Sequence, residues 1–198
     1  MWEKEDKEDS DLAQLQDDPG ITGEGIPPHP ANTAAIHAVA GGGGTDPYNL
    51  QRFVTAQGQA RSGRTVYDAA HAKLTAGVKM WDWIWYVFPL LQDVTISPSS
   101  TNKKYAISSV QEAQAYLADP VLGPRLRDCA KLVLDWLEER KLEVMLGKTD
   151  AWKFRASMTL FAEATKDNPT GPDKVFHDCV GIHERDDGTD KRLRAVTT

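Results

Sequence analysis

The chain has 198 residues, 40% of them hydrophobic and 26% charged, with a formal net charge of −6 and two cysteines. That length favours one domain with a tail, and two cysteines are too few for a disulfide framework. The longest apolar run, residues 84–91, is broken by Pro89 and falls far short of the ~20 residues that span a bilayer. The acidic start, Met1-Trp2-Glu3-Lys4-Glu5-Asp6, lacks the basic flank and apolar stretch of a secretory signal. The expectation is a reduced, soluble, cytoplasmic protein with no membrane partner.

The residues divide near position 47. Fifteen of the 16 aromatic residues follow it, and residues 1–46 hold two basic against ten acidic side chains, leaving 21 against 19 for the remainder. The acidity therefore belongs to the leading segment, and the rest is nearly neutral. With five prolines up to Pro47 and the run Gly41-Gly42-Gly43-Gly44, residues 1–45 bury too little to offset chain entropy and read as a disordered acidic tail.

From residue 46 to 190 the pattern is helical. Asp46 can cap a helix with Pro47 at its first position, placing Leu50, Phe53 and Val54 on one face. A helix over 65–76 turns Val66, Tyr67, Ala70 and Leu74 inward and closes at Gly77. The aromatic segment 83–88 is strand-like in composition, but a lone strand would leave its backbone unpaired, so it is assigned to helix or buried turn. Ser109-Val110-Gln111-Glu112 is a capping box for a helix that Pro120 stops. Gly123-Pro124 opens what reads as the longest helix, with Leu126, Cys129, Leu132, Val133, Trp136 and Leu137 as its apolar stripe. A short helix over 142–146 closes at Gly147, Asp150 caps a helix carrying Phe154, Met158 and Phe161, and Pro172 opens a last helix around Val175, Phe176 and Cys179. No run of strands is available to build a sheet. The predicted fold is an all-α, single-domain bundle of about six or seven helices, with residues 191–198 as a short basic tail.

Three constellations could carry chemistry. In Lys79-Met80-Trp81-Asp82-Trp83-Ile84-Trp85-Tyr86-Val87-Phe88-Pro89, more rings occur than one helical face can bury. Some of them line either a ligand pocket or a buried central helix. Asp82, if desolvated among indoles, would hold its proton more tightly and serve as an acid or base near neutral pH. In Asp150-Ala151-Trp152-Lys153-Phe154-Arg155, Lys153 or Arg155 could anchor an anion, although surface helices pair charges in this way routinely. The third group, His177-Asp178-Cys179 with His183, Glu184, Asp186 and Asp187, matches no zinc or calcium spacing. The chain has no phosphate-binding glycine loop, no nucleophile elbow and no HExxH. The small basic spot Lys103-Lys104-Tyr105 is not a nucleic-acid interface.

The order of motifs resembles the domain-of-unknown-function family 1810. The blocks are Asp46-Pro47-Tyr48-Asn49-Leu50-Gln51-Arg52-Phe53, Trp83-Ile84-Trp85-Tyr86-Val87-Phe88-Pro89 and Tyr105-Ala106-Ile107-Ser108-Ser109. They continue with Glu112-Ala113-Gln114-Ala115-Tyr116-Leu117, Pro120-Val121-Leu122-Gly123-Pro124-Arg125-Leu126 and Lys153-Phe154 with Ser157-Met158-Thr159-Leu160-Phe161. The match runs from residue 46 to 161, with a weaker extension to 189. The resemblance implies a compact all-helical fold of about 140 residues and no assigned activity; the label calpastatin-like has no physical basis in these residues. This chain departs from the family pattern at Asp82 and Asp119, where the family carries His, and at Leu90, where it carries Gln. The polar positions around the aromatic segment have changed, which reads as decay of an ancestral site or a shift to a less polar ligand.

The leading expectation is a small-molecule-binding protein in which Trp81, Trp83, Trp85, Tyr86 and Phe88 wall a pocket for an apolar secondary metabolite. Asp82 would be the catalytic residue of a cofactor-independent cyclase or isomerase, and Lys153 or Arg155 an anion anchor. Neither a metal nor a cofactor is called for, and the sequence gives no oligomeric state. The alternative is a non-catalytic protein interaction module with an acidic tether. A hydrolase or transferase of a nucleotide-like substrate is disfavoured by the missing phosphate loop.

Overall fold

The computed structural model describes residues 46–61, 63–77, 84–94 and 100–197. The expected tail, residues 1–45, lies outside them. In chain order the elements are α1 (Gln51–Gly58), β1 (Ala60–Arg61), β2 (Arg64–Thr65), α2 (Val66–Thr75), α3 (Ile84–Val87), α4 (Ser100–Tyr105), α5 (Val110–Ala118), α6 (Leu122–Leu137), α7 (Leu142–Leu146), α8 (Lys148–Ala164), α9 (Lys174–His183) and α10 (Asp187–Thr197). The fold is all-α, with ten α-helices among the described residues rather than six or seven. Short helices such as α3 and α4 offer too few turns for periodicity to reveal them.

The Asp46 block folds around its arginine. Asp46 accepts from the amides of Leu50 at 2.8 Å and Gln51 at 2.9 Å. The cap acts one turn later than Pro47 at the first helical position would require, because Asn49 turns the chain at φ +50° before α1 begins. Arg52 then donates through Nε to Lys104 O at 2.9 Å and through Nη1 to Asn49 O at 2.9 Å and to Tyr48 O. Its Nη2 donates to Ala106 O at 3.0 Å and to Glu112 at 2.5 Å. All five guanidinium hydrogens are thus used, and one side chain joins α1, the end of α4 and the start of α5.

Ser109 caps α5 as expected, accepting from the Glu112 amide at 3.1 Å. The reciprocal half of the box is displaced by one residue: the Glu112 carboxylate accepts from the Ser108 amide at 2.8 Å and hydroxyl at 2.6 Å as well as from Arg52. Glu112 is 3% exposed, and this set of donors is what makes burial of its charge tolerable. Asp119 caps the next helix, accepting from the amides of Val121 and Leu122. A Cβ at Gly123 would lie 2.1 Å from the Leu117 carbonyl oxygen, so glycine sets the close approach of α5 and α6.

α8, at 17 residues, is the longest helix of the described chain, displacing α6 from that role. It starts behind Gly147, at φ +77°, and not at Asp150. Ala151, Phe154, Ala156, Ser157, Met158, Thr159, Leu160, Phe161, Ala162 and Ala164 are all buried along it. Burial around most of the helix circumference means that it is enclosed, and α3, α5, α7, α9 and α10 pack against it.

One further expectation is corrected. Residues 191–197 are not a tail but part of α10, which docks because Leu193 enters the core and is 5% exposed. Its start is tied by Asp186, which accepts from the Thr189 amide and hydroxyl, each at 2.8 Å, and from Trp152 Nε1 at 3.0 Å. Extended pairing among the described residues is limited to the two-residue antiparallel hairpin of β1 and β2, turned at Gly63, and a parallel bridge between Leu91 and Ile107. No described helix is long and apolar enough to cross a membrane.

Candidate functional site

Trp81, Asp82 and Trp83 lie outside the described residues, as does Lys79. The rest of the aromatic segment forms α3, whose four residues face three surroundings. Ile84 and Val87 are buried in the core. Phe88, just beyond the helix, is also buried, with its ring perpendicular to Phe154 at a centroid distance of 5.0 Å. It backs the segment from the core side. Tyr86 is half-buried and meets Tyr105 edge-on at 5.1 Å.

Trp85 meets the second constellation. Lys153 Nζ lies 4.1 Å from the centre of its ring and 3.2 Å from Asp150 Oδ1, with 12% and 17% of the two charged side chains exposed. A partly desolvated ammonium over an indole face is attracted by the ring quadrupole, a contact of about 1–2 kcal/mol. Two segments 68 residues apart in the chain thus share one corner, formed by Trp85, Lys153 and Asp150. Arg155 does not join it. Two residues along a helix turns the side chain to the far side, where Arg155 pairs with Glu143 on α7 at 2.6 Å.

The third constellation disperses. His177 Nε2 is 3.0 Å from Thr165 Oγ1, and Asp178 pairs with Lys174. Cys179 is buried, and burial pushes its thiol up to about 12. The Cys129 thiol is raised further, chiefly by burial and then by the Asp128 charge. Neither sulfur supplies a thiolate at neutral pH.

Beneath α3 runs a polar seam that the sequence reading passed over. Gln57 of α1, 1% exposed, donates to Tyr86 O at 2.7 Å and to Tyr116 Oη at 3.3 Å. It accepts from Arg125 Nη1 at 3.1 Å. Arg125 is 3% exposed, and its guanidinium rests 4.4 Å from the centre of the Tyr67 ring. Tyr67 Oη donates to Asp128 at 3.4 Å, and Asp128 pairs with His71 Nε2 at 2.8 Å. The His71 and Asp128 side chains are 21% and 35% exposed, so the seam leads from the surface between α2 and α6 to the interior under α3. Burial raises the Tyr67 and Tyr116 phenols and lowers the Arg125 guanidinium from its ordinary value. The phenols therefore stay protonated and act as hydrogen-bond donors.

Helical spacing does carry a signal for these residues. Arg125 lies three after Leu122 and four before Cys129, on the buried face of α6. Gln57 lies four after Phe53, on the buried face of α1. A polar side chain at a core-face position is the informative observation.

The structure is similar to that of the conserved hypothetical protein Rv1873 from Mycobacterium tuberculosis. The two are 38% identical over 76% of this chain and 97% of that one, with a TM-score of 0.61. No curated protein matches the chain. The family described as Protein of unknown function (DUF1810) matches residues 47–193, which take in every described helix up to the start of the last turn of α10, and the chain belongs to that family.

Proposed function

We propose that the protein binds a small, planar, largely apolar molecule where α2, α3 and α6 meet. Trp85 and Tyr86, with Trp81 and Trp83 from the adjoining segment, would wall the ligand. The seam from His71 and Asp128 to Arg125 would supply its polar contacts, and Lys153 would close the Trp85 side. The carrying observation is Arg125: a charged group held inside the bundle is costly to bury, and its cation–π contact with Tyr67, whose hydroxyl donates to Asp128, joins it to the surface at His71.

The reaction this site suits is a cofactor-independent isomerisation or cyclisation, in which orientation of the ligand lowers the barrier by several kcal/mol and Asp82 acts as the acid or base. Both described thiols are raised out of the reactive range, which supports a reaction without covalent capture by sulfur. The reading is tested by calorimetric titration with polycyclic probes such as 2-naphthol and 1-naphthoate. Binding of at least one probe is expected, weakened about tenfold, or ~1.4 kcal/mol, by Trp85→Leu and by Tyr67→Phe. Probes that bind neither the native chain nor its variants would remove the pocket. For any substrate found in this way, Asp82→Asn should abolish turnover while leaving binding intact.

A further inference from the structure

A second cluster of ionisable groups, sharing no residue with the seam, stands where α10 packs against α8. Glu163, Arg185, Asp190, Leu193 and Arg194 border a cleft of about 360 Å³. Asp190, Leu193 and Arg194 fall at i, i+3 and i+4 on α10 and so share one face, Glu163 comes from the end of α8, and Arg185 comes from the turn between α9 and α10. Two carboxylates fix the Arg185 guanidinium. Its Nε donates to Asp190 Oδ1 and Oδ2, each at 2.9 Å, and its Nη2 donates to Asp190 Oδ1 at 2.6 Å and to Glu163 Oε2 at 3.3 Å. The third nitrogen, Nη1, has no hydrogen-bond partner among the described residues. The backbone on either side of Arg185 is constrained as well. Glu184 has φ +63° and ψ 164°, a conformation that disfavours side chains other than glycine's, and the Asp186 amide donates to Thr159 at 2.9 Å.

The lining holds two guanidiniums and two carboxylates, so it offers both signs of charge and no net charge. A simple anion placed there meets Glu163 and Asp190 as well as the arginines, and a simple cation meets the arginines as well as the carboxylates. A ligand that carries both charges avoids either conflict. The opposite charges of the site are in contact, 2.6 and 3.3 Å apart, so the charges of the ligand must also stand close together. We propose that this cleft binds a free α-amino acid with an apolar side chain. The ligand carboxylate accepts from Arg185 Nη1, with the Arg194 guanidinium bordering the same space. The ligand ammonium lies against Glu163 and Asp190, whose carboxylate oxygens have acceptor capacity beyond the bonds they make to Arg185. Lys166 pairs with Glu163 Oε1 at 2.8 Å from outside the lining. The ligand side chain covers Leu193, the apolar member of the lining. Because the two carboxylates already hold the Arg185 fork, little side-chain freedom remains to be lost on binding. A peptide carries its ammonium and carboxylate at opposite ends and does not satisfy this pairing.

The test is a titration of the full chain with L-leucine, read by calorimetry and by the amide NMR signals of residues 185–194. L-leucine is neither planar nor aromatic, so its binding here is separable from binding beneath α3. Saturable binding with movement of those amides is expected. On the same native chain three analogues should each bind at least about tenfold more weakly: 4-methylpentanoate, which lacks the ammonium, 3-methylbutylamine, which lacks the carboxylate, and 6-aminohexanoate, whose charges stand far apart. Arg185→Gln and Glu163→Gln should each weaken L-leucine about tenfold, the size of one hydrogen bond to a charged group. Arg185→Gln also unties α10 from α8, so its melting temperature is read first; if it fails to fold, Glu163→Gln and the four ligands on the native chain decide the matter. No saturation by ~10 mM L-leucine would overturn the proposal. So would equal binding of either singly charged analogue, or movement of the residue 84–88 amides in place of those of residues 185–194.

Discussion

Arg52 shows what a fully engaged side chain does in a small bundle. Its five donors meet four carbonyl oxygens and one carboxylate across three separate stretches of chain, and its guanidinium also covers the Phe53 ring at 4.3 Å. Lysine could not replace it, since a single ammonium has three donors and no planar fork. Arg52→Ala leaves Glu112 buried with its charge partner gone, a loss of about 3 kcal/mol, which a urea unfolding midpoint measures. A change within about 0.5 kcal/mol, the range of ordinary surface substitutions, would show that Ser108 alone satisfies the carboxylate. The second prediction at this scale concerns pH. The folded state lowers the proton affinity of His183, so as pH falls through about 6.5 the unfolded chain takes up this proton before the folded one does. Stability from this group is full above that value and is lost toward acid. The native chain should lose more melting temperature than His183→Asn between about pH 7 and pH 5.5.

Among the elements, α10 is the clearest case of a helix held by its first residues. The Asp186 carboxylate receives three hydrogen bonds, two from Thr189 and one from the Trp152 indole, while the Asp186 amide donates to Thr159 at 2.9 Å. Asp186→Ala removes the cap and the tie to α8 together. A loss of about 1–2 kcal/mol is expected, with faster amide exchange confined to residues 187–197; uniform exchange throughout the chain would mean that α10 does not open by itself. Legibility in sequence follows the same logic. α2, α5 and α7 are readable because each has a cap or stop and a short apolar face: Thr65 and Gly77, Ser109 and Pro120, Gly147. α10 is not, because its sequence, Asp-Gly-Thr-Asp-Lys-Arg-Leu-Arg-Ala-Val-Thr, is rich in charge and offers a single large apolar side chain to the core, Leu193, and the helix is held by that leucine and an aspartate just before its first turn. The seam is hard to read for the opposite reason: Arg125 and Gln57 are polar residues set within apolar stripes, and periodicity marks a core face by its apolar members. The corner of Trp85 and Lys153 joins two segments distant in the chain, and local spacing carries no sign that they meet.

At the scale of the molecule, the hydrophobic core of the described residues draws on side chains from Leu50 to Leu193. A chain beginning at residue 46 therefore retains every side chain of that core. Its melting temperature should stay within about 3 °C of the full chain's, the size expected for less than 1 kcal/mol in a domain of this length. A larger drop would show that the leading 45 residues contribute to the fold. The same truncation changes the formal charge of the chain from acidic to nearly neutral, so any salt-dependent association of the full chain with a basic protein should disappear with it. Retention of that association would place it on the helical domain.

Lys153 and Arg155 stand two residues apart on α8, one against the Trp85 ring and the other paired with Glu143 of α7. A closely packed helix transmits displacement along its length with little give. Thermodynamic linkage then makes any communication between the two sides reciprocal. If occupying the Trp85 side changes proton affinity at Glu143 by some factor, acidification must change affinity at the Trp85 side by the same factor. Where the two sides of α8 communicate, the pH of the medium and the ligand of the proposed site act as two effectors of a single equilibrium.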